Sequence, residues 1–239
     1  MRYSSTVVRS YHVATALAAC VGLSACSLNT ASDTSLPGGT ATLLTLVTGG
    51  LQTGTAGASL ANPLLFKVID QFGLAVKGAT VTVAPNAASG SVDATPYVTD
   101  DTGYVKVTWT LGTTMGTDSL VASVSGLTAV TVLAIAQPGA PANLNVVSGS
   151  AQTAAAGSTL NAPLVVKVTD KYGNPVPNAL VQWSTDGTGV FASSTEVTDA
   201  FGLAINTFTL APTPGTNNVS AMVTVNTTVL VTTLIALGS

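Results

Sequence analysis

The chain has 239 residues, 46% hydrophobic and only 7% charged, with a formal net charge of −3. Average domains carry about 25% charged residues, so disorder throughout, which needs low hydrophobicity and high charge, is excluded. Beyond residue 26 no run reaches the roughly 18 apolar residues of a membrane helix, and five lysines face ten acids there, which leaves no basic patch for nucleic acid. Thr, Val, Ala and Gly dominate, a composition that suits pleated strands and points to an all-β fold.

Residues 1–25 read as a targeting segment. Arg2 and Arg9 form a positive beginning, residues 13–22 are a short apolar core, and Leu23-Ser24-Ala25 places small residues before Cys26. The segment resembles a bacterial lipoprotein signal. The resemblance implies cleavage before Cys26, a diacylglyceryl thioether on its sulfur and an acylated amine. Leu17-Ala18-Ala19-Cys20 is a second such box, but it would leave an apolar core at the lower limit of length, so Cys26 is preferred. Three acyl chains would anchor stably, at about 0.8 kcal/mol per buried CH₂. Ser27 stands where an aspartate would imply inner-membrane retention in such lipoproteins, which points to the outer membrane, with the side it faces left open. After cleavage Cys26 is the last thiol, so no disulfide is available downstream.

Residues 26–40 comprise the lipidated cysteine and a polar, small-residue stretch without periodicity, read as a flexible tether. Beyond it the chain repeats itself. Residues 52–81 and 152–181 share 14 of 30 positions at an offset of 100, where chance gives about two. A period near 100 suits a small domain used twice. The division is domain one at 41–136, a linker at 137–141 and domain two at 142–239. In domain one strands are expected at 42–47, 63–70, 79–84, 96–100, 103–111, 119–124 and 128–135. In domain two they fall at 143–147, 163–170, 179–184, 195–199, 202–210, 218–223 and 227–235. After residue 181 the offset drops to 99, so one residue is lost before Val197. Seven short strands bounded by turn residues form the pattern of an immunoglobulin-like sandwich.

Alternation sets the faces. Leu64, Phe66 and Val68 point inward and Lys67 outward, as do Leu164, Val166, Val168 and Lys167. Val105, Val107, Trp109 and Leu111 point inward, matched by Ala204, Asn206, Phe208 and Leu210. Asn206 is the misfit, because Ile205 would then face solvent. A bulge, a buried satisfied amide or a shifted register would each account for it. Trp109 and Trp183 both fall at inward parity and are assigned to the core. Asp70, Asp170, Asp100 and Asp199 each precede a turn glycine, a position where the carboxylate accepts a backbone N–H two residues on. With Asp101 they could supply oxygen to calcium, but no clustered Asp spacing exists, and a structural use is preferred. The linker Gln137-Pro138-Gly139-Ala140-Pro141 is restrained by two prolines, with Gly139 its one freely rotating residue.

Two motifs now carry a resemblance. QTGTAG with the following L..PL..KV.D..G..V.GA.V, and then VTDDTGYVKVTWTLG, is similar to the group 1 bacterial immunoglobulin-like domain of invasins and intimins. The second copy keeps Gln152, Gly157, Pro163, Lys167, Asp170, Gly173-Asn174-Pro175-Val176, Thr198-Asp199 and Gly202. The resemblance implies a sandwich fold and a spacer role, since such domains hold adhesive tips away from the membrane. No β-barrel anchor or lectin-like tip accompanies it here, so receptor binding is not implied. The mature chain lacks histidine and free cysteine, which removes Ser-His-Asp and Cys-His chemistry and the usual zinc sites. No enzyme, cofactor or metal is expected. The expectation is a non-catalytic outer-membrane lipoprotein that spaces or displays, with adhesion-related contact. The alternative is a binding module for an envelope glycan or a secretion or pilus protein. Phe72 and Tyr172, aromatic at matching turns, are the candidate contact residues.

Overall fold

The computed structural model describes residues 39–239. The signal segment, Cys26 and most of the tether lie outside them. All regular structure within them is strand. The first copy contains β1 (Ala41–Thr48), β2 (Gln52–Thr55), β3 (Leu64–Asp70), β4 (Thr80–Pro85), β5 (Ser91–Val92), β6 (Tyr97–Val98), β7 (Tyr104–Val107), β8 (Trp109–Thr110), β9 (Gly116–Ser123) and β10 (Val130–Gln137). A three-stranded sheet, β1-β3-β7, faces a five-stranded sheet, β2-β10-β9-β4-β6, and a short β5-β8 ribbon closes one side.

The second copy repeats this order. It contains β11 (Asn143–Ser148), β12 (Gln152–Ala154), β13 (Leu164–Thr169), β14 (Leu180–Thr185), β15 (Val190–Phe191), β16 (Thr195–Val197), β17 (Leu203–Asn206), β18 (Phe208–Thr209), β19 (Gly215–Val225) and β20 (Thr228–Gly238). Its sheets are β11-β13-β17 and β12-β20-β19-β14-β16, with a β15-β18 ribbon. Two tandem immunoglobulin-like sandwiches result, each with its own apolar core.

Each of the seven expected strands per copy is present; the short β5 and β15 are unexpected additions, and two corrections are needed besides. The long strands expected at 103–111 and 202–210 are interrupted at Thr108 and Thr207, where the chain leaves the three-stranded sheet for the side ribbon. Inward parity survives the break, so Val105, Val107, Trp109 and Leu111 are all buried, as are Ala204, Asn206, Phe208 and Leu210. The second correction is β2 and β12, which alternation could not signal. They are edge strands with little apolar content, and they pair in parallel with the last strand of their sandwich. The chain crosses between sheets just before each, with Leu51 and Ala151 at positive φ. A repeated glutamine secures the crossing. Gln52 Nε2 donates to the Gly49 and Asn62 carbonyls while its Oε1 accepts the Asn62 N–H. Gln152 does the same with Gly149 and Ala162. This explains why the repeat begins at that residue.

Asn206 resolves as the buried satisfied amide. Its Nδ2 donates to the Ser193 carbonyl at 2.7 Å and its Oδ1 accepts the Thr207 N–H at 2.9 Å. Its register is unshifted, because Asn206 pairs with Leu164 as Val107 pairs with Leu64. Ile205 does face solvent. Both tryptophans are buried. Trp109 Nε1 donates to the Ser89 carbonyl at 2.8 Å, whereas Trp183 Nε1 has no partner among the described residues.

Candidate functional site

The aspartate turns are built as their sequences imply. Asp100 Oδ1 accepts the N–H groups of Thr102 and Tyr104 as well as the Thr102 hydroxyl. Asp199 Oδ1 accepts Phe201 and Leu203 N–H. Asp101 pairs with Lys77 on the exposed surface. Asp70 Oδ1 accepts Phe72 and Leu74 N–H, and Asp170 Oδ1 accepts Tyr172 and Asn174 N–H. In Asp70, Asp100, Asp170 and Asp199 one carboxylate oxygen, Oδ1, is thereby engaged by its own turn. Among the described residues no three His, Cys, Asp or Glu side chains converge.

One of these turns does more. In the second sandwich the Asp170–Asn174 turn lies against the end of the first. The Asn174 amide bridges the two: Oδ1 accepts the Met115 N–H at 2.9 Å and Nδ2 donates to the Thr113 carbonyl at 2.9 Å. Nδ2 also donates to Asp170 Oδ2 at 2.8 Å, which fixes the amide's orientation. The same Oδ2 accepts the Gly139 N–H of the linker at 2.9 Å. Gly139 is therefore not the free rotor its sequence implies, because its one donor is held by a buried carboxylate. Burial alone would push the Asp170 carboxyl up. The bonds from the Asn174 amide and from the Gly139, Asn174 and Tyr172 N–H groups outweigh it and hold the carboxyl below the ordinary carboxylate value.

Tyr172 completes the contact. Its ring rests on Gly57, where an added Cβ would overlap the phenol, and Gly57 also has φ +71°, so glycine is required on two grounds. Lys171 Nζ stands 4.7 Å from the centre of the same ring. A cleft of ≈ 400 Å³ runs beside the joint, between Thr55–Ala58, the linker and Asp170–Tyr172. Its one carboxylate is Asp170, whose oxygens are already engaged. The first sandwich has the matching turn with no other described element upon it: Phe72 is 75% exposed and Leu74 48%, against 41% for Tyr172 and burial for Asn174. The two candidate aromatics thus occupy different situations, Tyr172 across the joint and Phe72 exposed.

No protein-family model matches the chain, and no curated protein matches it. Solved structures do. The chain is similar to adhesin domains of the intimin and invasin kind. The D0-D1 domain of intimin aligns over 82% of this chain and 98% of its own, at 21% identity and a TM-score of 0.32. The Escherichia coli adhesin FdeC aligns over 82% of this chain and 64% of its own, at 21% identity and a TM-score of 0.47. InvD of Yersinia pseudotuberculosis aligns over 82% and 57%, at 20% identity and a TM-score of 0.49. The chain spans less than two thirds of the FdeC and InvD structures.

Sequence reasoning singled out Tyr172, gave Asn174 only a turn and motif role, and missed Gly57, Thr113 and Met115. The signal for Asn174 was available. Where the first copy reads Gly73-Leu74-Ala75 the second reads Gly173-Asn174-Pro175, an apolar-to-amide change at a turn whose scaffold is otherwise kept.

Proposed function

We propose that the chain is a non-catalytic cell-envelope lipoprotein, anchored in the outer membrane through Cys26, whose two sandwiches form a stiff spacer for display or adhesion-related contact. The observation that carries this reading is the joint. Asn174, Asp170 and Tyr172 tie the second sandwich to the end of the first through backbone partners and a glycine. A linker tied at both ends resists bending, and stiffness is what a spacer needs and a flexible pair of binding modules does not. The division at residues 41–136, 137–141 and 142–239 follows the same logic.

Membrane fractionation tests the anchor. Cys26→Ser should release the protein, and Cys20→Ser should leave it bound; release by Cys20→Ser alone would place the lipid elsewhere. Small-angle scattering on residues 41–239 tests the spacer. A radius of gyration near the compact-globule estimate of about 16–17 Å would mean side-by-side sandwiches and end the spacer reading.

A further inference from the structure

The Asp70–Leu74 turn of the first sandwich shares its scaffold with the Asp170–Asn174 turn, which is a contact element. Both aspartates accept the N–H groups two and four residues on. Both have a glycine of the incoming chain against them. Gly139 donates to Asp170, and Gly39 sits so close to Asp70 that a Cβ there would overlap the carboxylate. What differs is the tip. Tyr172 and Asn174 are replaced by Phe72 and Leu74, which removes every polar atom from the two side chains and leaves them exposed. The turn's one charge, Asp70, is buried beneath them.

A second copy of the chain is poorly suited to cover this tip. The end of the first sandwich receives Asn174 with the Thr113 carbonyl and the Met115 N–H. The same end of the second sandwich has Pro212 and Pro214 at those positions, and Pro214 has no N–H to give, so the amide-based contact of the joint is not repeated there by a second copy. The tether gives a better occupant. Only about a dozen residues separate Cys26 from Gly39, which bounds their separation at about 45 Å even for a fully extended chain. Gly39 enters beside Asp70, at the foot of the tip. A lipidated Cys26 therefore holds Phe72 and Leu74 within reach of the bilayer, and the tether makes their encounter with it intramolecular.

We propose that Phe72 and Leu74 form an apolar tip that inserts at the headgroup–acyl boundary of the membrane that holds the lipid anchor. This inference rests on the lipoprotein reading above. Apolar residues at that depth gain from burial, while the buried Asp70 brings no exposed charge with it. The contact would set the spacer upright or fix its tilt.

The test uses the lipidated full-length mature protein in vesicles of phosphatidylethanolamine and phosphatidylglycerol. An environment-sensitive fluorophore is attached at Gln71→Cys, next to Phe72 in the turn, and in a second sample at Thr213→Cys in the β18–β19 loop of the second sandwich. In the vesicles the label at position 71 should shift to the blue and be quenched by nitroxide lipids, and the label at 213 should do neither. Phe72→Ser with Leu74→Ser should abolish the quenching while the urea midpoint is retained, since both side chains are exposed. An unquenched label at 71 on protein that floats with the vesicles would overturn the tip and leave the anchor standing. A blue shift without quenching that grows with protein density would assign the tip to a second copy instead. Protein that fails to float would remove the anchor, and the tip with it.

Discussion

The two sandwiches share a scaffold and differ in how they fill and satisfy it. In the first, Trp109 fills the core from β8, with Val83 and Val92 around it. In the second, Phe208 takes the place of Trp109, and the volume returns from two other strands as Trp183 and Phe191. Phe191 lies between Trp183 and Phe208 with ring centres at 5.9 and 4.8 Å. The hydrogen bonding moves with the volume. The first copy's loop is one residue longer, and it supplies the Ser89 carbonyl that accepts Trp109 Nε1. Where tryptophan becomes phenylalanine, that loop shortens. The Ser119 N–H, donated to Ser89 Oγ in the first copy, has its counterpart in the Asn218 N–H, donated to Asp186 Oδ1. The strand break is handled the same way. Thr108 N–H is accepted by Asp93 from β5's side, whereas Thr207 N–H is accepted by Asn206 within its own strand. Neither core volume nor polar satisfaction is kept as a sum: Trp183, Phe191 and Phe208 fill more volume than Val83, Val92 and Trp109, and Trp183 Nε1 lacks the partner that Trp109 Nε1 has among the described residues, so the scaffold tolerates a redistribution of rings across neighbouring strands.

The largest effect is expected where the exchange of volume is undone. Trp109→Ala and Phe208→Ala should each destabilise their own sandwich by about 3–5 kcal/mol, read as a lowered urea midpoint. A loss below about 1 kcal/mol in either would show that its neighbours fill the space without it. A smaller effect is expected from Asn206→Val, which copies the first sandwich's Val107. It leaves the Ser193 carbonyl and Thr207 N–H without their partner, at about 1–3 kcal/mol. Adding Ala192→Asp, the counterpart of Asp93, should return part of that loss. No recovery in the double variant would mean that the two breaks are not equivalent.

The joint gives the next test. Asn174→Leu converts the second turn's tip to the first one's and removes both bonds to Thr113 and Met115. The sandwiches should each keep their urea midpoints within about 1 kcal/mol, because the change spares both cores. Scattering or inter-sandwich fluorescence transfer should show a widened range of angles between them. Unchanged angles would assign the stiffness to the prolines of the linker.

The smallest effect is expected from pH. The Asp170 carboxyl is depressed in the folded protein, so its contribution is present above the unfolded value of about 4 and is lost as pH falls through the folded value. The joint should stay stiff from neutral pH down to about 4 and loosen below that. The same titration in Asn174→Leu should show a weaker change, since one of the bonds that depress Asp170 is already gone.

Much of this was legible in the chain itself. The period near 100, the inward parity of Leu64, Phe66, Val68 and Trp109, and the aspartate turns all follow from alternation and turn chemistry, which act between residues close in sequence. Even the misfit at Asn206 was visible as a misfit. Tertiary structure decided what those residues meet. β2 and β12 exist because β10 and β20 offer an edge about 80 residues away, and no local pattern marks them. Asn174 reaches Met115 across 59 positions, and Gly57 receives Tyr172 across a longer interval still. Such contacts depend on how the end of one sandwich meets the start of the next, and a backbone N–H or carbonyl carries no sequence signature of its own. The chain therefore determined two sandwiches and their cores by itself, while the choice between a hinged and a tied joint was made only where the two surfaces meet.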